Sequence, residues 1–229
     1  MKNLKTYCTI FLFSLYWVSN TSCNRENSID VNQDKIYTTY ILIYDANEDK
    51  TYARAVFQFS NAVGTQLQLT APSEIYFNND ILTFKNALAY YEKEYAGKIS
   101  SGTFKWKNTN GTEYTNSVSI TPIGFPANLD TIHRNAAYEM FWVGDSLSAN
   151  HSVSLTVNGV LENDAQYFTQ NNVNSKSIIL SLNQLQALGQ GAGTLWMQRV
   201  YNPALVQKTS AGGAIYGKYT AVTKHSYLK

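Results

Sequence analysis

From residue 36 onward, apolar and polar positions alternate in short runs separated by turn residues, the pattern of strands with one buried face. Residues 36–44 are rich in Ile, Thr and Tyr, which suit a pleated surface. A polar turn at 45–50 follows, and residues 52–59 then put Ala53, Ala55, Phe57 and Phe59 on one side and Tyr52, Arg54 and Gln58 on the other. Gln66-Leu67-Gln68-Leu69 repeats the alternation, and residues 81–84 and 88–95 read as further strands. Phe104 and Trp106 alternate with Lys105 and Lys107, and Tyr114, Val118 and Ile120 alternate with Thr115, Ser117 and Ser119. Between these two runs Asn110-Gly111 predicts a hairpin turn, because both residues tolerate positive φ.

The second half repeats this grammar. Residues 137–143 form a densely apolar strand, and Val153, Leu155 and Val157 alternate with Ser152, Ser154 and Thr156 before a turn at Asn158-Gly159. Residues 175–182 form another strand. The leucines of residues 182–188 have helical spacing, which predicts one helical turn capped by Ser181 and ended by Gly189. Gly191 and Gly193 predict a further break, and residues 194–200 and 214–227 a final strand pair joined by an exposed loop. Seven or so short strands in about 85 residues, with no cysteine pair, imply an immunoglobulin-like sandwich. Pro122 and Pro126 interrupt the pattern, since proline removes a donor and fixes φ. The expected fold is therefore all-β: two tandem antiparallel β-sandwich (immunoglobulin-like) domains, 36–121 and 129–229, joined by a linker at 122–128.

The first 22 residues differ from the rest. Lys2 and Lys5 precede an apolar run over residues 10–18, the layout of a signal peptide. A spanning helix needs about 20 apolar residues, and polar ones begin at Ser19. Thr21, Ser22 and Cys23 resemble the lipobox of bacterial lipoproteins, with Asn20 standing where that family usually has Leu. The resemblance implies diacylation of the Cys23 thiol and removal of residues 1–22. It also implies an outer-membrane lipid anchor, on either face of that membrane, followed by a flexible tether over residues 23–35. Several acyl chains hold a soluble domain on a bilayer far better than one does. Cysteine usage is consistent with this, since the chain has two cysteines, Cys8 in the discarded segment and Cys23 at the junction.

Removing residues 1–22 takes two lysines and no acid from the 18 basic and 16 acidic residues, so the mature chain is formally neutral. Neutrality argues against nucleic acid, whose backbone demands clustered cations. His133, His151 and His225 are too scattered for metal-ligand spacing, and no nucleophile elbow, P-loop or dinucleotide fingerprint occurs. Glu139 and Asp145 flank Phe141-Trp142 as a carboxylate pair for glycoside hydrolysis, but pairs of this kind arise by chance among 16 acids. The reading is a protein that is not an enzyme, with no metal or other cofactor.

Aromatic residues make up 14% of the chain, 17 of them Tyr; most suit strands and sandwich cores, and some are expected to face outward. Tyr44, Tyr52, Tyr90, Tyr91, Trp106 and Trp196 are the candidate ligand-binding residues, because exposed rings bind at low entropic cost. The expected function is binding of a glycan or a surface protein by a membrane-anchored module. The alternative is a structural or adhesin subunit of a surface assembly.

Overall fold

A computed structural model describes residues 25–229, so the expectations for the signal segment and Cys23 lie outside the described residues. The protein is an all-β sandwich. In the first half are β1 (Arg25–Asn27), β2 (Ile36–Asp45), β3 (Lys50–Phe59), β4 (Gln66–Gln68) and β5 (Glu74–Phe77). The chain continues through β6 (Asp80–Ile81), β7 (Thr83–Lys85), β8 (Tyr90–Ala96), β9 (Ser101–Lys107) and β10 (Glu113–Ser119). The second half holds β11 (Thr131–Ile132), β12 (Tyr138–Phe141), β13 (His151–Asn158), β14 (Gln166–Gln170) and β15 (Ser177–Leu180). After these come α1 (Leu182–Ala187), β16 (Gly191–Tyr201), β17 (Gly213–Thr220) and β18 (Lys224–Leu228).

One twelve-stranded sheet runs through both halves of the chain, with the central order β1-β4-β3-β2-β17-β16-β13-β14. Its middle is the pairing of β2 with β17, parallel over eight residues from Thr38–Gly213 to Asp45–Thr220. β17 also pairs antiparallel with the end of β16. Over the first half of this sheet lies a four-stranded sheet, β10-β9-β5-β6, and over the second half a two-stranded one, β12-β15.

Two buried clusters fill the space between the layers. The first contains Tyr40, Leu42, Phe57, Phe77, Phe104 and Trp106, joined by Leu205 and Ile215 from the C-terminal half. The second contains Met140, Trp142, Val153, Leu155, Phe168, Leu185 and Met197. Tyr219 packs against both. Where β17 passes the end of β10 the backbones nearly touch, and a Cβ on Gly217 would lie 1.9 Å from the Ser119 carbonyl oxygen, so only glycine fits.

Local chemistry explains the turns. Asn108 is buried and its Oδ1 accepts from the backbone N–H groups of Asn110 and Thr112, closing the β9–β10 hairpin around Gly111 at φ +80. Residues 121–127 carry no strand, and Gly124 forms one isolated bridge to Val143.

Several expectations are corrected. Residues 25–35 are not a flexible tether: β1 pairs with β4, and two 3-10 turns follow it. Buried Ser28 accepts from Thr70 N, and buried Gln33 accepts from Thr109 N, so the segment is bonded to the first half of the sandwich. Gly191 and Gly193 do not break the chain but begin β16, where a Cβ on Gly193 would come within 2.9 Å of the Leu228 side chain. The strand expected over 214–227 is two strands. Residues 221–223 stand opposite only 196 and 197 on β16, and this one-residue excess bulges the ladder. The helical turn exists, but Ser181 makes no side-chain cap to the backbone; its hydroxyl bonds Gln184 Oε1 at 2.8 Å, and Leu188 ends the turn.

Candidate functional site

Both buried clusters lie on the same side of the long sheet, beneath the two covering sheets. Among the described residues no second layer covers the other side. Period-two geometry decides which side chains stand there. On β2, Tyr40, Leu42 and Tyr44 point into the core, so Thr39, Ile41 and Ile43 point out; on β3 the outward set is Tyr52, Arg54 and Val56.

Register then brings together residues far apart in sequence. Glu92, Arg54, Ile41 and Tyr216 form one row across β8, β3, β2 and β17, and Glu94, Tyr52, Ile43 and Lys218 form the next. Arg54 is at the centre. Its guanidinium carbon lies 5.1 Å from the Tyr52 ring centroid and 4.9 Å from that of Tyr90, and its Nε contacts Glu92 Oε2 at 2.6 Å. Such cation–π contacts hold both tyrosines in fixed orientations.

The electrostatics of this face are uneven. Tyr52 donates to Glu48, and that bond, with burial, pushes its phenol up to about 12. Burial raises the Tyr90 phenol as well. Lys218 lies 5.5 Å from the Tyr216 ring centroid and has no ion-pair partner among the described residues. Burial, then the charge of Arg54, holds its amine below the usual lysine range. Lys218 is thus a half-buried cation facing solvent without a carboxylate to neutralise it.

The same face continues over the second half. Trp196 on β16 is 41% exposed and sits opposite Thr156, which is opposite the exposed Tyr167 on β14. Ser152 and Ser154 line the same side of β13, and Tyr227 stands outward opposite Ala192. Rings and hydroxyls therefore share one open surface extending across the width of the sheet.

Of the sequence-derived candidates, Tyr52, Tyr90 and Trp196 stand on this face, and three do not. Trp106 is fully buried, stacked on Tyr114 at 4.9 Å and donating from Nε1 to Ser73 Oγ at 3.1 Å. Tyr91 is buried beside Phe57 and accepts from Leu69 N, and Tyr44 packs inward against Tyr219 with its hydroxyl on Asp49 Oδ1. These three are core residues because each shares its strand face with the apolar set. The sequence reading did not single out Arg54, Tyr216 or Lys218 as site residues. Alternation already set Arg54 on the Tyr52 side, but only the parallel β2–β17 register brings Tyr216 and Lys218 to it.

Of the carboxylate pair, the Glu139 side chain accepts from Ser177 Oγ, whereas at Asp145 it is the backbone oxygen that accepts, from Trp142 Nε1. Among the described residues no group of three or more His, Cys, Asp or Glu is arranged to hold a metal ion. No family model matches the chain, and no curated protein matches its sequence.

Proposed function

We propose that this is a lipid-anchored cell-envelope protein that captures a glycan chain on the open face of its long sheet, without chemical turnover. The observation that carries the reading is the uncovered face itself, with Tyr52, Tyr90 and Tyr216 on one half and Trp196, Tyr167 and Tyr227 on the other. Rings with hydroxyls between them suit a polymer of sugars, whose apolar faces stack and whose hydroxyls take hydrogen bonds. Arg54 fixes two of the rings before binding, which lowers the ordering cost of the complex.

Affinity electrophoresis of a soluble form, residues 24–229, through gels containing a panel of polysaccharides tests it. Retardation by at least one polysaccharide is expected, and Tyr52→Ala and Trp196→Ala are each expected to weaken it. Migration unchanged across the panel overturns the reading.

One observation favours a second reading, a subunit of a surface assembly. Phe141, Val143 and Ile179 are 58%, 59% and 63% exposed on the outer side of the β12–β15 layer. An assembly through this patch predicts self-association in sedimentation velocity that Ile179→Lys abolishes.

A further inference from the structure

We infer that the body of the protein rests directly on the bilayer that holds its anchor, seated on the two loop tips that flank the start of β1. The inference depends on the lipid-anchor reading of Cys23. Only two residue steps separate Cys23 from Arg25, and an extended chain covers at most ~7 Å in two steps. Arg25 is already part of the folded body. It pairs with Gln66 in the β1–β4 ladder, its guanidinium lies 5.5 Å from the Phe84 ring centroid, and it donates to both the side-chain and backbone oxygens of Asn86. An acyl chain on Cys23 therefore leaves no slack to lift the sandwich off the surface.

The surface around that exit point suits lipid. Val63, on the loop just before β4, is 91% exposed, and Leu88, on the loop just before β8, is 61% exposed. Single exposed apolar residues are common on soluble proteins. These two belong to the pair of loops that meet at Arg25: Gln66 Nε2 donates to Ala89 O at 2.9 Å, and Arg25 bonds Asn86.

Each residue is also held outward by a bonded turn. Around Val63, its own N–H donates to Asn61 Oδ1, Gly64 N to Asn61 O and Gln58 Nε2 to Ala62 O. Around Leu88, the N–H groups of Leu88 and Ala89 both donate to Lys85 O. Lys85 and Arg25 are exposed at the same end, two cations suited to lipid phosphates beside two apolar residues suited to the acyl boundary. Close seating would hold the long sheet at a defined angle to the membrane.

The test uses the full lipidated chain reconstituted in vesicles of phosphatidylethanolamine and phosphatidylglycerol. On the anchor reading Cys8 is discarded and Cys23 acylated, so Val63→Cys, Leu88→Cys and, as a control in the second half, Val160→Cys each take one environment-sensitive fluorophore. The expected result is blue-shifted emission at positions 63 and 88 that spin-labelled lipids quench, with water-like, unquenched emission at 160. Chains that float with the vesicles while 63 and 88 stay water-like overturn the seating and leave the anchor standing. Chains that do not float with the vesicles overturn the anchor reading and the seating with it.

Discussion

The two halves of the molecule share one sheet but close their cores differently. Over the first half, β10-β9-β5-β6 is a regular four-stranded layer whose ladders satisfy most backbone polar groups, and the core beneath it is aromatic: Tyr40 stacks on Phe104 at 5.1 Å and Phe57 meets Trp106 at 5.2 Å. Over the second half the layer is two short strands, α1 and irregular chain, and the core is mainly aliphatic. Irregular chain leaves backbone groups without ladder partners, and buried ones must find others.

Two charged side chains supply those partners. Buried Arg199 donates to Asp145 O at 2.7 Å, Ser146 O at 2.9 Å and His151 Nδ1 at 3.3 Å. Asp164 accepts from Gly159 N, Leu161 N and Gly189 N. The comparison teaches that a half-regular layer shifts part of its stability from packing to a few buried ionic groups. The first half should therefore break by loss of volume, and the second by loss of charge.

The largest effect is expected in the first half. Trp106→Ala empties the centre of the aromatic cluster and leaves Ser73 Oγ without its indole donor, and the expected cost is about 4 kcal/mol in urea unfolding. In the second half, Arg199→Met keeps volume but removes the charged donor from Ser146 O and leaves Asp145 O with the Trp142 indole N–H alone, for an expected cost of about 3 kcal/mol by the same measurement. A cost near zero for Arg199→Met would erase the contrast between the halves.

Asp164→Asn is expected to cost about 2 kcal/mol, since an amide oxygen replaces a carboxylate that serves three N–H donors. Burial pushes the Asp164 carboxyl up, but the backbone donors from Gly189, Leu161 and Gly159 together outweigh it and hold its pKa below the ordinary aspartate value. Its stabilisation is therefore present above about pH 4, near the unfolded aspartate pKa, and disappears as pH falls through the lower folded value. Acid unfolding of the wild type and the Asn variant should converge at low pH.

Much of this contrast was legible in the letters. Alternation alone marks residues 36–44, 52–59 and 153–157 as strands, because a strand's two faces are a local property. It also holds clues that aromatic content obscures: Trp106 shares its face with Phe104, and Trp196 lies between Leu195 and Met197, so the first points in and the second out. Pairing across long sequence separations has no such local signature. Nothing near Lys218 announces Ile43 as its neighbour on β2, nor does anything near Arg199 announce the Asp145 and Ser146 carbonyls it satisfies. The segment at 25–35 misleads for a related reason: its polar side chains look solvated, yet Ser28 Oγ and Gln33 Oε1 accept from Thr70 N and Thr109 N outside the segment.

The smallest effect, and the finest test of the contrast, concerns His151. Its ring stacks on Tyr201 at 4.5 Å and its Nδ1 accepts from Arg199 Nε, so the bond exists only while that nitrogen carries no proton. Burial first, and the Arg199 charge second, hold the imidazole below the usual histidine pKa. Above about pH 6.5 folded and unfolded chains both carry it neutral, and it adds no pH dependence. As pH falls below that value the unfolded chain takes a proton that the folded chain refuses. Stability then declines by at most about 1.4 kcal/mol per pH unit, levelling off once pH passes the lower folded pKa. Urea unfolding of the wild type between pH 7.5 and 5 should show this decline, and His151→Asn, whose Oδ1 can still accept from Arg199, should flatten it. An equal slope in both proteins would mean that the Arg199 cluster does not feel the proton, and that the second half is less dependent on its buried charges than its geometry implies.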